Sequence, residues 1–413
     1  MLVCRAAMDN LTHTVIGCIA GAALARIRPT PARQRLLPAI GMIGGNLPDL
    51  DLLWSYRGRA SDPGQLNYLL EHRGYTHTVL GCLLLAIALY AAAVRFASRR
   101  GAPLARGERA LLLGGAVGAV LLHLAMDALN TYGVHPFWPF DDRWVYGDSV
   151  FIIEPLYWAA AAPLLFVFES RTARVLIGLL LIAGVGASAA TGRLPVACLL
   201  VLGCLSVGGL LAGRLAGAGR AAALSFGAFI MISAAFVAAG QWARAQARQA
   251  AGHDFPGERL VDVVLSPLPA DPLCWDVLVL SAGADRYQAR RATVALAPGL
   301  IAAAACRDPD LHAPSTAHWH AGAGATLPWV TYSLPLADLR VLVRGHCQAA
   351  ALMQFVRAPF IEPDGGAQIL GDLRFDREAG AGLAKLRFPR PGVEVCPHAA
   401  PWTPPRADLL TAP

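Results

Sequence analysis

The sequence predicts a mainly α fold: a polytopic helical membrane domain of about eight apolar segments over residues 1–245, then a smaller β-rich extramembrane domain over residues 246–413. Three observations lead there. Hydrophobic residues make up 55% of the 413-residue chain and its mean hydropathy is +0.47, high for a soluble protein. Before about residue 250 they are gathered into long runs with few charges, such as 175–190, 194–212 and 221–239, each near the ~20 residues that cross a bilayer. Beyond that point charges and prolines return. Short stretches rich in valine, leucine and aromatics (259–265, 275–280, 329–334, 340–343, 351–356 and 368–375) are bounded there by Pro, Gly and Asp, the punctuation of strands and turns.

In chain order, residues 1–7 read as an extension ahead of Met8, with nothing resembling a signal peptide. The apolar segments are 12–27, 36–54, 76–94, 110–129, 151–168, 175–190, 194–212 and 221–239. The net charge of +7 rests on 34 arginines and one lysine, many of them between these segments. Loop arginines set membrane orientation, so membrane lipids are expected as partners and nucleic acid is not. Basic connections follow segments one, three, five and seven, whereas the loop after four is acidic and the loop after six holds only Arg193. The loop after two, with Arg57, Arg59 and Arg73, breaks the alternation. The basic loops are therefore expected in the cytoplasm. The amino terminus, the loops after two, four and six, and the β-rich domain are expected outside.

That orientation brings four polar clusters to one membrane face. His13 opens segment one, Asp49 and Asp51 end segment two, His72 and His77 open segment three, and His123 and Asp127 end segment four. Ionisable groups in a membrane cost ~2.5 to 3.5 kcal/mol each and usually mark function. His123 and Asp127 are four apart and share a helical face. Pro48 and the Gly44-Gly45-Asn46 run bend the chain before Asp49-Leu50-Asp51. Gly74 makes His72 a loop ligand and His77 a helix ligand.

Imidazoles with carboxylates suit a divalent metal, zinc or manganese before iron. There are more candidates than one tetrahedral site needs, so a pair of ions about 3.5 to 4 Å apart, assisting hydrolysis at phosphorus, is also compatible. The expected ligands are Asp49, Asp51, His72, His77, His123 and Asp127, with His13 a ligand or an orienting group. Asp49, Asp51, His72 and His77 are expected to carry the catalysis. Arg73 is expected to bind a phosphate or carboxylate of the substrate as a planar bidentate donor.

Blander roles suit the other polar residues. Asp9 and Thr12 can cap the first helix. An aromatic, proline-rich interfacial loop accounts for His135 and Glu154. His253, His312, His318, His320, His346 and His398 belong to the exposed domain, with His318-Trp319-His320 read as a surface loop ahead of the alternative, a metal pair. Of nine cysteines, Cys18, Cys82, Cys198 and Cys204 sit in apolar segments as small hydrophobes. Cys274, Cys306, Cys347 and Cys396 form a set of four that can make two disulfides in an oxidising periplasm, in any of three connectivities.

Four stretches carry a family likeness. Met8-Asp9-Asn10-Leu11-Thr12-His13-Thr14, Asn46-Leu47-Pro48-Asp49-Leu50-Asp51, His72-Arg73-Gly74-Tyr75-Thr76-His77-Thr78 and His123 to Asp127 with Tyr132-Gly133 resemble the inner-membrane metal-dependent hydrolases of the YdjM-like, LexA-associated type. The likeness covers roughly residues 8–160, and Thr78 stands where serine is expected. It implies a multi-pass protein of the bacterial inner membrane with a metal site at these His and Asp positions. The expected function is hydrolysis of a phosphoester or other ester of an amphipathic or lipid-linked substrate at the membrane interface. The alternatives are a transporter or metal-handling protein, and a structural or regulatory membrane protein that holds its metal for stability.

Overall fold

A computed structural model describes residues 2–27, 29–55, 62–101, 103–190, 194–306, 319–321, 324–376, 383–389, 396–397 and 400–411. The chain begins with helices α1 (Leu2–Ala25) and α2 (Pro31–Gly44). Thr30 caps α2 by accepting from Arg33 N. The two helices pack backbone to backbone, because a Cβ on Gly17 or Gly41 would overlap the other's carbonyl, and one on Gly21 would overlap that of Leu37. This is the small-residue contact that close helix pairs need. α1 starts at Leu2, so Asp9 and Thr12 lie inside it rather than at its cap.

A 3-10 turn (Pro48–Asp51) and the short α3 (Leu52–Ser55) follow, then α4 (Asp62–Glu71) and a second 3-10 turn (Tyr75–His77). Thr78 caps α5 (Val79–Arg99) by accepting from Gly81 N at 2.8 Å. α6 (Arg106–Ala128) returns beside α5, and α7 (Pro155–Ala159), a 3-10 turn (Ala162–Phe166), α8 (Arg171–Ala190) and α9 (Val196–Asp254) complete the helical part.

Among the described residues three helices are long and apolar enough to cross a membrane: α5, α6 and α9. Eight separate apolar segments therefore do not emerge as eight such helices. α2 has only 14 residues, and the fifth segment breaks into α7 and a 3-10 turn at Pro163, which lacks an N–H for a helical bond. The seventh and eighth segments lie within α9, which is interrupted at Gly217 (φ 74°). A straight helix would separate Cys198 from Gly240 by about 63 Å. Cys198 Sγ instead lies 3.6 Å from Asp271 Oδ2, and a Cβ on Gly240 would meet Trp275, four residues along the same strand, at 3.0 Å. The helix must double back at Gly217, a left-handed position that glycine tolerates.

The C-terminal part is β-rich, as expected. Strands β1 (Leu260–Leu268), β2 (Asp271–Ala282), β3 (Arg286–Ala295), β4 (His320–Ala321) and β5 (Val330–Pro335) form an antiparallel sheet in the order β1-β2-β3-β5-β4. Helices α10 (Leu336–Gly345) and α11 (Cys347–Leu352) follow, then an antiparallel sheet of β6 (Pro359–Asp364), β7 (Ala367–Asp372) and β8 (Lys385–Phe388), and α12 (Ala407–Leu410). Two stretches that resembled strands are not. Residues 340–343 lie in α10, whose Leu336, Leu339 and Leu342 recur at helical spacing and are buried. Residues 351–356 are the end of α11 and a turn. The disulfides are Cys274–Cys306 and Cys347–Cys396.

The cores cross the boundary expected near residue 245. Val263, Leu265, Trp275, Val277 and Val279 face a core shared with α1, α7 and α9, while Val264, Leu278 and Leu280 face a second core with α10, α11 and β6–β8. Both sheet faces are buried, hence the near-continuous apolar strands. Helix α4 belongs to the second core through Leu66, Leu69 and Leu70. A buried ionic junction ties the halves together. Arg357 donates to Asp148 at 2.8 and 3.0 Å and to Asp262 at 2.8 and 3.1 Å, and Arg244 donates to Asp148 at 3.0 Å.

Candidate metal centre

The four clusters meet at one end of the helical bundle, where α2 and α6 end and α5 begins. His13 reaches it because the Gly17–Gly41 contact draws α1 along α2, bringing the His13 carbonyl to within 2.6 Å of where a Gly45 Cβ would lie. The 3-10 turn after α2 points Asp49 and Asp51 inward and leaves Leu50 exposed. His123 and Asp127 project together from the last turns of α6.

Asp49, His77, His123 and Asp127 form one buried group and Asp49, Asp51 and His72 a second, each with donor atoms within 4.8 Å of one another. In the first group His77 Nε2 lies 3.0 Å from His123 Nε2, 3.3 Å from Asp49 Oδ1 and 3.2 Å from Asp127 Oδ2. His123 Nε2 lies 3.6 Å from Asp49 Oδ1 and 3.4 Å from Asp127 Oδ2. Four ligands at 2.0 to 2.1 Å around a tetrahedral zinc are about 3.3 to 3.4 Å apart, so these separations fit a cation.

Ring orientation fits as well. His123 Nδ1 lies 2.7 Å from the Gly45 carbonyl, which can only accept. His77 Nδ1 lies 3.1 Å from Asp51 Oδ2. Each ring donates outward from Nδ1, which leaves the Nε2 lone pairs converging.

Asp51 is saturated from other directions. It receives hydrogen bonds from Arg73 N and Thr76 Oγ1, both at 2.9 Å, and its Oδ1 lies 2.9 Å from His72 Nδ1. That ring also stacks on Tyr68 at 4.9 Å. Asp49 accepts from Asn10 Nδ2 at 3.0 Å. His13 stacks on His123 at 3.9 Å and approaches Asp127 Oδ1 at 3.2 Å, outside the four-residue group. Arg73 is buried, with Nη2 3.1 Å from Asp127 Oδ1 and Nη1 donating to Asn130 Oδ1 at 3.0 Å. Its guanidinium faces the Asp127 carboxylate rather than the surface.

Asn10 and Thr76 lie inside the quoted motifs, but Asn130 and the Gly45 carbonyl carried no signal of their own. His135 and Glu154 belong to neither group, although His135 Nδ1 comes to 3.5 Å of the Arg73 carbonyl. Glu154 caps α7 by accepting from Leu156 N and also accepts from Ala270 N. His135 is sandwiched between Trp144 at 3.9 Å and Trp402 at 4.1 Å, and burial pushes its pKa down to about 3. His312, His318 and His398 lie outside the described residues.

The region holding this centre has relatives. Residues 8–196 match the YdjM inner membrane protein family. The match bears out the likeness read from the four motifs and carries it past residue 160. Every candidate residue from His13 to Asp127 falls inside the YdjM-matching region, and the β-rich part falls outside it. The chain is also similar to an uncharacterised protein, YfhP, of Bacillus subtilis (strain 168). The two are 26% identical over 174 residues, which is 41% of this chain and 46% of that protein. The chain thus spans about half the length of this relative. No solved structure matches.

Proposed function

We propose that this chain is a membrane-bound metal-dependent hydrolase acting on a phosphoester or other ester of an amphipathic substrate. The observation that carries the reading is the pair of Nε2 atoms facing each other at 3.0 Å between two carboxylates. Asp49, His77, His123 and Asp127 would hold one ion. Asp51 orients His77 and fixes the His72 loop, and His13 and Arg73 set the position of Asp127. An ion held by these four residues would contribute Lewis acidity toward a water and the ester. Asp49, whose Oδ2 accepts from Asn10, is suited to accept a proton from an attacking water. Saturation of Asp51 favours one ion over two.

The substrate class rests on the surroundings. Leu50, Leu53 and Trp54 beside Asp49, and Tyr75 beside Thr76, are exposed apolar side chains at the rim of the centre. Val79, Leu80, Leu84 and Ile87 continue that exposure along α5. A substrate tail kept in lipid and a head at the metal would use both. Together with the arginine pattern this supports the extracytoplasmic face of the inner membrane, with eight traverses if the shorter helices and both arms of α9 cross.

A second reading is favoured by burial: His77 is 0% and Asp127 1% exposed, as in a closed structural metal site. Elemental analysis of the full-length protein in detergent, with turnover of p-nitrophenyl phosphate, bis-p-nitrophenyl phosphate and p-nitrophenyl acetate, tests both. One equivalent of metal with metal-dependent turnover is expected. Metal without turnover, together with a His77→Ala variant that fails to fold, would favour the structural role. Absence of metal in zinc- or manganese-supplemented preparations would end both.

A further inference from the structure

The segment that supplies His72 and His77 is held by the far end of the chain. Trp402 is buried, and its indole Nε1 donates to the Leu70 carbonyl at 2.9 Å, one of the last-turn carbonyls of α4 that the helix itself leaves without a donor. Its ring lies over Gly74, where a Cβ would come within 3.0 Å of Cζ2. It also stacks on His135 and packs against Tyr75 at 5.2 Å.

The tail bearing Trp402 is anchored to the second core. Gln354 Nε2 donates to Ala400 O at 2.9 Å, Ala400 N donates to Gln354 Oε1 at 3.1 Å, and Thr403 N donates to Asp142 O at 3.2 Å. The covered segment needs such support. Arg73 is a non-glycine residue at φ 66°, a left-handed conformation that persists only when its surroundings over-determine it. Arg73 N must nevertheless donate to Asp51 while its side chain meets Asp127.

We propose that Trp402 is a positioning residue for the metal centre. It fixes residues 70–77 so that His77 faces His123 and Asp49, and it makes this one residue of the C-terminal tail part of what sets metal affinity. The inference rests on the metal reading above.

The test uses the full chain in detergent, with zinc alone as probe, its affinity measured by chelator competition and folding by thermal midpoint. Trp402→Ala is expected to weaken zinc binding about 10- to 100-fold, as loss of groups that orient ligands does. Trp402→Phe keeps the stacking and loses the N–H, so it should weaken zinc about fivefold, the worth of one hydrogen bond. Leu409→Ala, which empties a buried position of the same tail away from Gly74, should lower the midpoint and leave zinc affinity unchanged. Wild-type affinity in Trp402→Ala, or equal weakening by Leu409→Ala, overturns the proposal. If Trp402→Ala does not fold, unchanged affinity in Trp402→Phe overturns it. Failure of the wild-type chain to bind zinc would instead strike the metal reading itself.

Discussion

His77 Nε2 and His123 Nε2 approach to 3.0 Å while the other nitrogen of each ring is directed at an acceptor, Asp51 Oδ2 for His77 and the Gly45 carbonyl for His123. Neutral rings in those tautomers aim two lone pairs at one point. That is repulsive unless a cation or a shared proton lies between them, and the flanking Asp49 and Asp127 carboxylates favour a positive charge there.

Removing either ring should remove the metal. His77→Ala and His123→Ala are each expected to lower zinc affinity by at least ~100-fold, more than the loss of an orienting group. Stoichiometric metal in both purified variants would contradict the four-residue centre.

Asp49 and Asp51 should separate, although they are two residues apart. Asp49→Ala takes away a proposed ligand, so metal and turnover should be lost with the fold kept. Asp51→Asn removes the charge and turns one of two accepting oxygens, shared among His72, His77, Arg73 N and Thr76, into a donor, so it should lower the thermal midpoint by several degrees and weaken metal about 10- to 100-fold. Matching profiles for the two variants would refute this division of roles.

Gly17 positions His13 without touching it. Gly17→Val places a branched side chain against the Gly41 carbonyl. Overpacking of this kind costs about 1 to 3 kcal/mol or more. Reduced yield in detergent and displaced metal are expected, whereas Gly114→Val, in open space on α6, should behave as wild type.

The proposed extracytoplasmic placement makes two linked predictions. Alkaline phosphatase fused after Arg100 should be inactive, and fused after Asp141 active; the reverse would move the site to the cytoplasm. Peptide mapping without reductant should join Cys274 to Cys306 and Cys347 to Cys396, and opening either bridge should cost about 2 to 4 kcal/mol.

The ionic junction predicts an acid response. Burial opposes the charge on Asp262, but the guanidiniums of Arg357 and Arg406 draw its carboxyl down to about 2. A carboxyl depressed in the folded state contributes stability that is complete above its unfolded pKa, near 3.9, and is lost as pH falls through about 2. Arg357→Met should therefore be less stable than wild type at pH 7, by about 3 to 5 kcal/mol, and the gap should narrow between about pH 4 and pH 2. A gap independent of pH in denaturant unfolding would count against the pairing.

Much of the centre was legible in the sequence because polar residues in apolar segments have few places to go. Turn-forming Pro48 and Gly74 and the four-residue spacing of His123 and Asp127 are local signals, and they rightly brought four clusters to one end of the bundle. Local signals also located β1, β2 and β5. They failed at α10, where valine and leucine between prolines imitate a strand until Leu336, Leu339 and Leu342 are seen to share a helical face.

By itself the sequence determined a membrane-embedded helical part, a β-rich remainder and a set of imidazoles and carboxylates at one end. Periodicity, loop charge and the cost of burying ionisable groups act over short stretches of chain. The tertiary structure decided which of those groups face one another and which stand behind, with His77 and His123 inward, Asp51 saturated and Arg73 turned onto Asp127. It also chose one cysteine connectivity, folded α9 back at Gly217, and placed α4 in the core of the C-terminal part with Trp402 against Leu70, 332 residues away. Such contacts depend on how cores divide space, and no local pattern encodes that.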